Sequence, residues 1–395
     1  MAESIEGRIE GRIDVRLTVE SGRIAGAEIR SIRPVTACRV LEGRSVDEAI
    51  ALFPRLFAIC GTAQTHAALT ACERALGMDV RPAQSAARRL LLLAETAREH
   101  AWRALLDWPA LTGGAPDAVA LRDVRNALAP IVRHLYPATD WAQSGGAPLE
   151  PDIDALSAAV NDFANGLERH VVGSKSGGDW ADADAFERWC REGATATARS
   201  LGVILDRGLS AFGASPVAAL PSLDADRLDA LLAADADDAF TAAPTWDGQA
   251  FETGPLVRCA DSPVIGALVA QRGNGVLARM VARLVELLAV PEALRQTAAH
   301  VAADPGAGEP AAPDGTGLAM IEMARGRLIH RVEIADGRIA RYQIVAPTEW
   351  NFHPEGALVQ GLRGQAIESP EQAETAAALA VSALDPCVAF DVSVV

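Results

Sequence analysis

Arg327-Leu-Ile-His-Arg-Val-Glu-Ile-Ala-Asp-Gly-Arg-Ile-Ala-Arg-Tyr-Gln-Ile-Val345 carries the plainest structural instruction in the chain. Apolar and polar residues alternate on both sides of Asp336-Gly337, a dipeptide suited to a two-residue turn that needs positive φ, so strands are predicted over Arg327 to Ile334 and Ile339 to Val345. A further strand is predicted over Leu318 to Glu322. Residues 304–317, rich in Gly, Pro and Asp, read as a loop. Near the other end the same alternation returns: Ile13, Val15, Leu17 and Val19, an interruption at Ser21-Gly22, then Ile24, Ala27 and Ile29, which predicts an antiparallel hairpin. Between these β-flavoured ends the pattern is helical. Ser45 and Glu48 form a capping box for a helix running from Val46 toward Phe57, strained at Pro54. A second helix is predicted from Ala63 to Leu76 with Gly77 as its cap, and a third from Ala83 to Trp108, stopped by Pro109. Residues 117–301 hold more helical patterns without recognisable chemistry, and a last helix spans Pro370 to Leu384.

Composition narrows the function classes. Of 395 residues, half are apolar and 22% charged, which excludes collagen-like and wholly disordered chains. The net charge of −16, without any Lys/Arg run, argues against nucleic acid as a partner. No apolar run reaches the ~20 residues of a membrane span, and the first residues lack the apolar core of a secretory signal, so a cytoplasmic protein without membrane insertion is expected. Cys38, Cys60, Cys72, Cys190, Cys259 and Cys387 are scattered, which favours free thiols over a disulfide framework. The tandem Ile5-Glu-Gly-Arg8 and Ile9-Glu-Gly-Arg12 has the form of an engineered protease site, but its second copy runs into the predicted strand.

Several short motifs occur in a meaningful order: Arg8-Ile9-Glu10-Gly11, Leu41-Glu42-Gly43-Arg44, Ile59-Cys60-Gly61-Thr62-Ala63-Gln64-Thr65-His66-Ala67, His100 with Leu106-Asp107-Trp108, Arg325-Gly326, the hairpin into Ala346-Pro-Thr-Glu-Trp-Asn-Phe352, and Asp385-Pro386-Cys387. Together they resemble the large subunit of nickel-iron hydrogenases over roughly residues 8–110 and 318–393. The resemblance implies an α-rich α/β fold with a central helical bundle and antiparallel strands from both termini packed near the pocket. It implies one domain over 1–395, made of an N-terminal β hairpin in 1–36, a helical region in 45–303, the loop 304–317, and a C-terminal hairpin and cysteine tail in 318–395.

The departures from that family decide the functional expectation. Each cysteine motif of the catalytic subunits supplies two thiolates; here Ala63 and Phe390 stand at the second position of each pair, and neither can donate to a metal. Ala58 and Ala324 replace a family Arg and Pro, the interval from Cys60 to His66 is one residue short, and Ser393 stands where a C-terminal His belongs. The pattern is similar to the assembly-scaffold paralogues of HupK (HoxV) type, which are non-catalytic. That resemblance implies Cys60 and Cys387 as ligands of a transiently carried Fe(CN)2CO unit without nickel. Around it would stand Arg325, donating to cyanide nitrogen, with Asp107, Asp385, Glu10 and His66 as supporting groups. Implied partners are a small chaperone of HypC type, an iron-assembly scaffold of HypD type and the apo large subunit.

Plainer readings stand beside these. Cys60 and Cys387 could be inert buried thiols, or zinc ligands with His66 and His353. Glu10 could pair with Arg8 or Arg12, Arg325 could form a surface ion pair, and Asp107 could cap a helix end. His100 and His330 would be packing residues. The alternative functions are an atypical hydrogenase-like metalloenzyme with a two-Cys iron or zinc site, using Glu10 or Asp107 as a proton relay, and a metal-free pocket like that of the quinone-binding relatives in respiratory complex I.

Overall fold

A computed structural model describes residues 11–32, 35–173, 180–306 and 308–395. The N-terminal hairpin is present, with β1 over Arg12–Glu20 and β2 over Arg23–Ser31. Ser21 (φ 51°) and Gly22 (φ 71°) form the turn, and Ile13, Val15, Leu17 and Ile24 are fully buried on one face, as period-2 alternation requires. The second sheet is a meander of β3 (Gly315–Met323), β4 (Gly326–Ala335) and β5 (Arg338–Val345), with Asp336 and Gly337 both at positive φ in the last turn.

Two β expectations are corrected. The C-terminal tail forms a strand, β6 (Ala389–Val394), that adds to β1 in parallel register, Arg12 opposite Ala389 and Leu17 opposite Val394. The sheet β2-β1-β6 is therefore mixed, not antiparallel throughout. The segment 304–317 is loop only in part, because Gly315 to Gly317 already belong to β3. Their composition suggests a linker, yet the missing Cβ lets β3 lie against a helix: a Cβ on Gly317 would stand 1.9 Å from the Ala71 carbonyl oxygen.

That helix is α1 (Gly61–Ala75), packed on β3 and β4. The helical body is organised around α2 (Pro82–Trp102), α3 (Ile153–Leu167) and α4 (Val276–Ala298), with α4 packed along both others. α5 (Pro370–Leu384) packs on α4 and β6 and matches the predicted bounds. The helix expected over 46–57 is broken into Val46–Ile50 and Phe53–Leu56. Pro54 falls in the first turn of the second piece, where its missing N–H costs nothing. The expected helix to Trp108 is also modified. After Trp102 one wider, π-helical turn covers Arg103–Asp107, and a short helix continues over Trp108–Thr112. Pro109 does not stop the chain because the wider turn places it at a helix start. That turn carries Arg103 and Asp107, which pair with each other, and Arg103 also reaches Asp385. Among the described residues no helix is long and apolar enough to cross a membrane.

Candidate thiol site at the junction of the chain ends

Cys60 is the residue that precedes the first turn of α1; Cys387 follows α5 after Asp385 and Pro386. Asp385 takes a left-handed conformation (φ 60°), tolerable for Asp, and turns the chain from α5 toward β6. The two cysteines thus meet from opposite ends of the sequence, both buried and their thiols hydrogen-bonded to each other. That contact and then burial push the Cys60 thiol well above its ordinary value, outweighing the opposite pull of Arg325. The Cys60 thiol therefore rests protonated. Glu95 on α2 fixes the start of α1, accepting from the backbone N–H of Thr62 at 2.7 Å and of Ala63 at 2.9 Å.

Arg325 occupies the two-residue turn between β3 and β4, where Met323 pairs with Gly326. Gly326 is at φ 133°, and a Cβ there would come within 2.6 Å of the Thr253 side chain, so glycine alone lets the hairpin tip sit so deep. Arg325 is 1% exposed, which rules out the surface ion pair. Its Nη2 donates to Glu99 at 2.9 Å and its Nε lies 3.3 Å from Asp385 Oδ1. Among the described residues Nη1 is buried without a hydrogen-bond partner. Burial works against the Arg325 charge, but Asp385 and Glu99 hold it protonated, and Cys387 and Cys60 add to that hold when ionised.

Asp385 is the hub of a charge cage. Arg103 Nε stands 2.8 Å from it, Arg325 Nε 3.3 Å and Arg283 Nη2 3.5 Å. Burial would raise this carboxyl, yet Arg103, then Arg325 and Arg283, hold it well below the usual carboxylate range. Burial draws Arg283 down to about 10, against the pull of Asp385. Asp107 reaches the site through Arg103, with which it forms an ion pair; it also accepts from Trp102 Nε1 at 3.2 Å, so it orients an arginine and does not itself approach the thiols. A cavity of about 450 Å³, lined by Ile59, Arg103, Asp107, Asp385, Pro386 and Phe390, opens beside this group. Ile59 and Pro386 are the chain neighbours of the two cysteines, which do not themselves line the cavity.

The structure thus brings together Cys60, Cys387, Arg325 and Asp385, with Asp107 one step behind. His66 is not brought there. Half-buried on α1, it has Arg88 and Arg89 of α2 as its charged neighbours, and burial and those cations push it down to about 3. His353 is also elsewhere, its Nδ1 accepting from the Glu355 N–H at 3.0 Å. Among the described residues no three His, Cys, Asp or Glu side chains are grouped to hold a metal, so the zinc tetrad is not assembled. Glu10 and the first Ile-Glu-Gly-Arg copy lie outside the described residues.

Sequence reasoning missed Glu95, Glu99, Arg103 and Arg283. Glu99 and Arg103 are four apart, a helical spacing that places them on one face and was visible in the sequence. Arg283 lies in the stretch read as lacking chemistry, flanked on α4 by apolar residues that hid it. His100, read as packing, is buried with its Nε2 2.7 Å from Glu286, which Arg258 also binds at 2.6 and 2.8 Å.

Comparison with known proteins now bears on this arrangement. The nickel-dependent hydrogenase family matches residues 225–393. The hydrogenase expression/formation protein HoxV of Cupriavidus necator is 33% identical over 394 residues, covering 95% of this chain and 94% of the relative. HupK of Rhizobium leguminosarum bv. viciae is 31% identical, covering 97% and 96%. Among solved structures, nickel-iron-selenium hydrogenases of Desulfovibrio vulgaris Hildenborough and Desulfomicrobium baculatum superpose with a TM-score of 0.69, at 18% and 17% identity, over 93% and 94% of this chain and 94% and 95% of theirs. At that identity they establish the α/β fold alone. The near full-length relatives establish more: the chain belongs to the HoxV/HupK family of hydrogenase expression/formation proteins, which is built on the large-subunit fold of the nickel-dependent hydrogenases.

Proposed function

We propose that the protein is a non-catalytic hydrogenase assembly scaffold that carries the Fe(CN)2CO unit and passes it to the apo large subunit. The observation that supports this reading is the pairing of two buried, mutually bonded thiols with a buried arginine whose Nη1 has no partner among the described residues. Two thiolates suit low-spin iron and leave positions for three diatomic ligands, and a free guanidinium N–H matches the lone pair of a cyanide nitrogen. Cys60 gives up its proton when its sulfur takes the iron, so holding is favoured by high pH and release by protonation.

Family position supports a role in hydrogenase formation, and the missing sulfurs support the non-catalytic part: Ala63 is buried and apolar, and Phe390 lines the cavity. With two ligands in place of four, the iron unit is held and nickel is not trapped. The delivering partners in this reading are a HypC-type chaperone and a HypD-type scaffold.

The test is infrared spectroscopy with iron and nickel analysis on protein purified without oxygen from cells expressing the maturation genes. CO and cyanide bands with equimolar iron and no nickel, lost in both Cys60→Ala and Cys387→Ala, are the expected result. Absence of bands and iron in the unaltered protein overturns the reading, and hydrogen turnover would move the assignment to a metalloenzyme.

A further inference from the structure

Gln64 lies one turn after Cys60 on α1, fully buried, and its side-chain amide is held at both ends. Nε2 stands 3.8 Å from Cys60 Sγ, and Oε1 stands 2.8 Å from Nε2 of His330 on β4. The other ring nitrogen of His330, Nδ1, is 2.8 Å from the Tyr342 hydroxyl on β5. Phe53 closes over this chain, its ring 5.5 Å from that of His330 and 5.6 Å from that of Tyr342. A row of four polar groups in an apolar setting must be paired throughout, and its direction follows from one end. The Cys60 proton is directed at Cys387, so the sulfur has only lone pairs to offer Gln64; the NH2 end of the amide therefore faces the sulfur and the carbonyl end faces His330. His330 then carries its proton on Nε2 and donates to Gln64, while its Nδ1 accepts from the Tyr342 O–H. The reverse order would set the amide oxygen against sulfur lone pairs. Burial pushes His330 down to about 3, which keeps the ring neutral, as a ring that both donates and accepts must be.

We infer that Gln64 is a positioning residue of the cargo site: its side-chain N–H donates to the Cys60 sulfur, and His330 with Tyr342 locks the amide in that orientation. As far as it concerns iron, the inference rests on the carrier reading above. A donated hydrogen bond withdraws electron density from the sulfur and, through it, from the metal. It also fixes the direction in which Cys60 presents its lone pairs.

Two measurements test it. The first needs no cargo: nitrogen NMR of the histidine-labelled protein identifies His330, among seven histidines, as the ring whose signals move in Tyr342→Phe or in Gln64→Met. A neutral ring protonated on Nε2 at pH 6 is expected; an Nδ1–H tautomer or an imidazolium overturns the relay. The second compares the infrared bands of loaded unaltered protein with loaded Gln64→Met, which keeps the volume and removes the donor. The CO and cyanide bands are expected at lower wavenumber in the variant, and unchanged bands overturn the inference. Should the unaltered protein show no bands, the carrier reading fails by itself, and the tautomer still decides whether Gln64 donates to Cys60.

Discussion

On one side of Cys60 and Cys387, three arginines crowd around the Asp385 carboxylate with Glu99 as a further acid; on the other, Gln64, His330 and Tyr342 form a neutral row. The ionic side balances three arginines with three carboxylates, Asp385, Asp107 and Glu99, and what it can offer an anionic ligand shell is the Arg325 Nη1 donor that has no partner among the described residues. The neutral side can direct a sulfur without adding charge to it. Under the proposed carrier role, a site that both holds and releases a metal unit benefits from the division, since one side meets the ligands of the cargo and the other sets the character of the metal-sulfur bond. The two sides also differ in what holds them together: Coulomb attraction across a dry interior in the first case, and hydrogen bonds whose loss leaves single orphaned groups in the second.

Removing the hub of the ionic side is expected to have the largest effect. Asp385→Ala leaves Arg103, Arg283 and Arg325 buried without their shared counter-charge, and a loss of about 3–5 kcal/mol is expected in urea unfolding. A loss under ~1 kcal/mol would show that the cage is no more than a surface-like cluster.

Acid separates the two sides by pH. His330 is neutral in the fold and ordinarily titrates near ~6.5 when unfolded, so its contribution is whole above that pH and falls as pH drops from there toward about 3. Asp385 and Glu286 are held below the usual carboxylate range, so their contributions are whole above ~4 and fall only at lower pH. His330→Gln is therefore expected to remove up to about 1.4 kcal/mol per pH unit from the slope of stability between pH 6 and 4.5, while Asp385→Asn leaves that slope alone and changes it below pH ~4. Chemical denaturation across that range checks both; equal slopes in His330→Gln and the unaltered protein would mean that the neutral side is wetter than its burial indicates.

The smallest effect is expected from Tyr342→Phe. It removes one neutral hydrogen bond at the far end of the row, about 1 kcal/mol, with the fold and iron content retained. A collapse of iron content in this variant would show that the neutral side determines retention as well as sulfur character.

The same two sides explain what was legible beforehand. Strand alternation around Asp336-Gly337 and the helix over Pro370 to Leu384 were readable because period and turn chemistry agree there with tertiary packing. Cys60, Cys387, Arg325 and Asp385 were readable from motif order. Arg103 and Arg283 were not, since a buried arginine on a helix has the same local signature as an exposed one; only the approach of Asp385 from a distant segment gives it a role. His330 was read as packing because its partners Gln64 and Tyr342 come from another helix and another strand. Parallel addition of β6 to β1 was equally hidden, since register between segments so far apart leaves no periodic trace.

That pairing also orders events in time. During synthesis Cys60 leaves the ribosome long before Cys387, so a growing chain presents one sulfur and no seat for a two-sulfur ligand. Contacts between remote segments form late, because the loop between them must first be closed. The thiol pair therefore comes into being only after Cys387 has been made and the segment leading into β6 has been brought to Cys60, and under the proposed carrier role cargo that requires both sulfurs is received only after that.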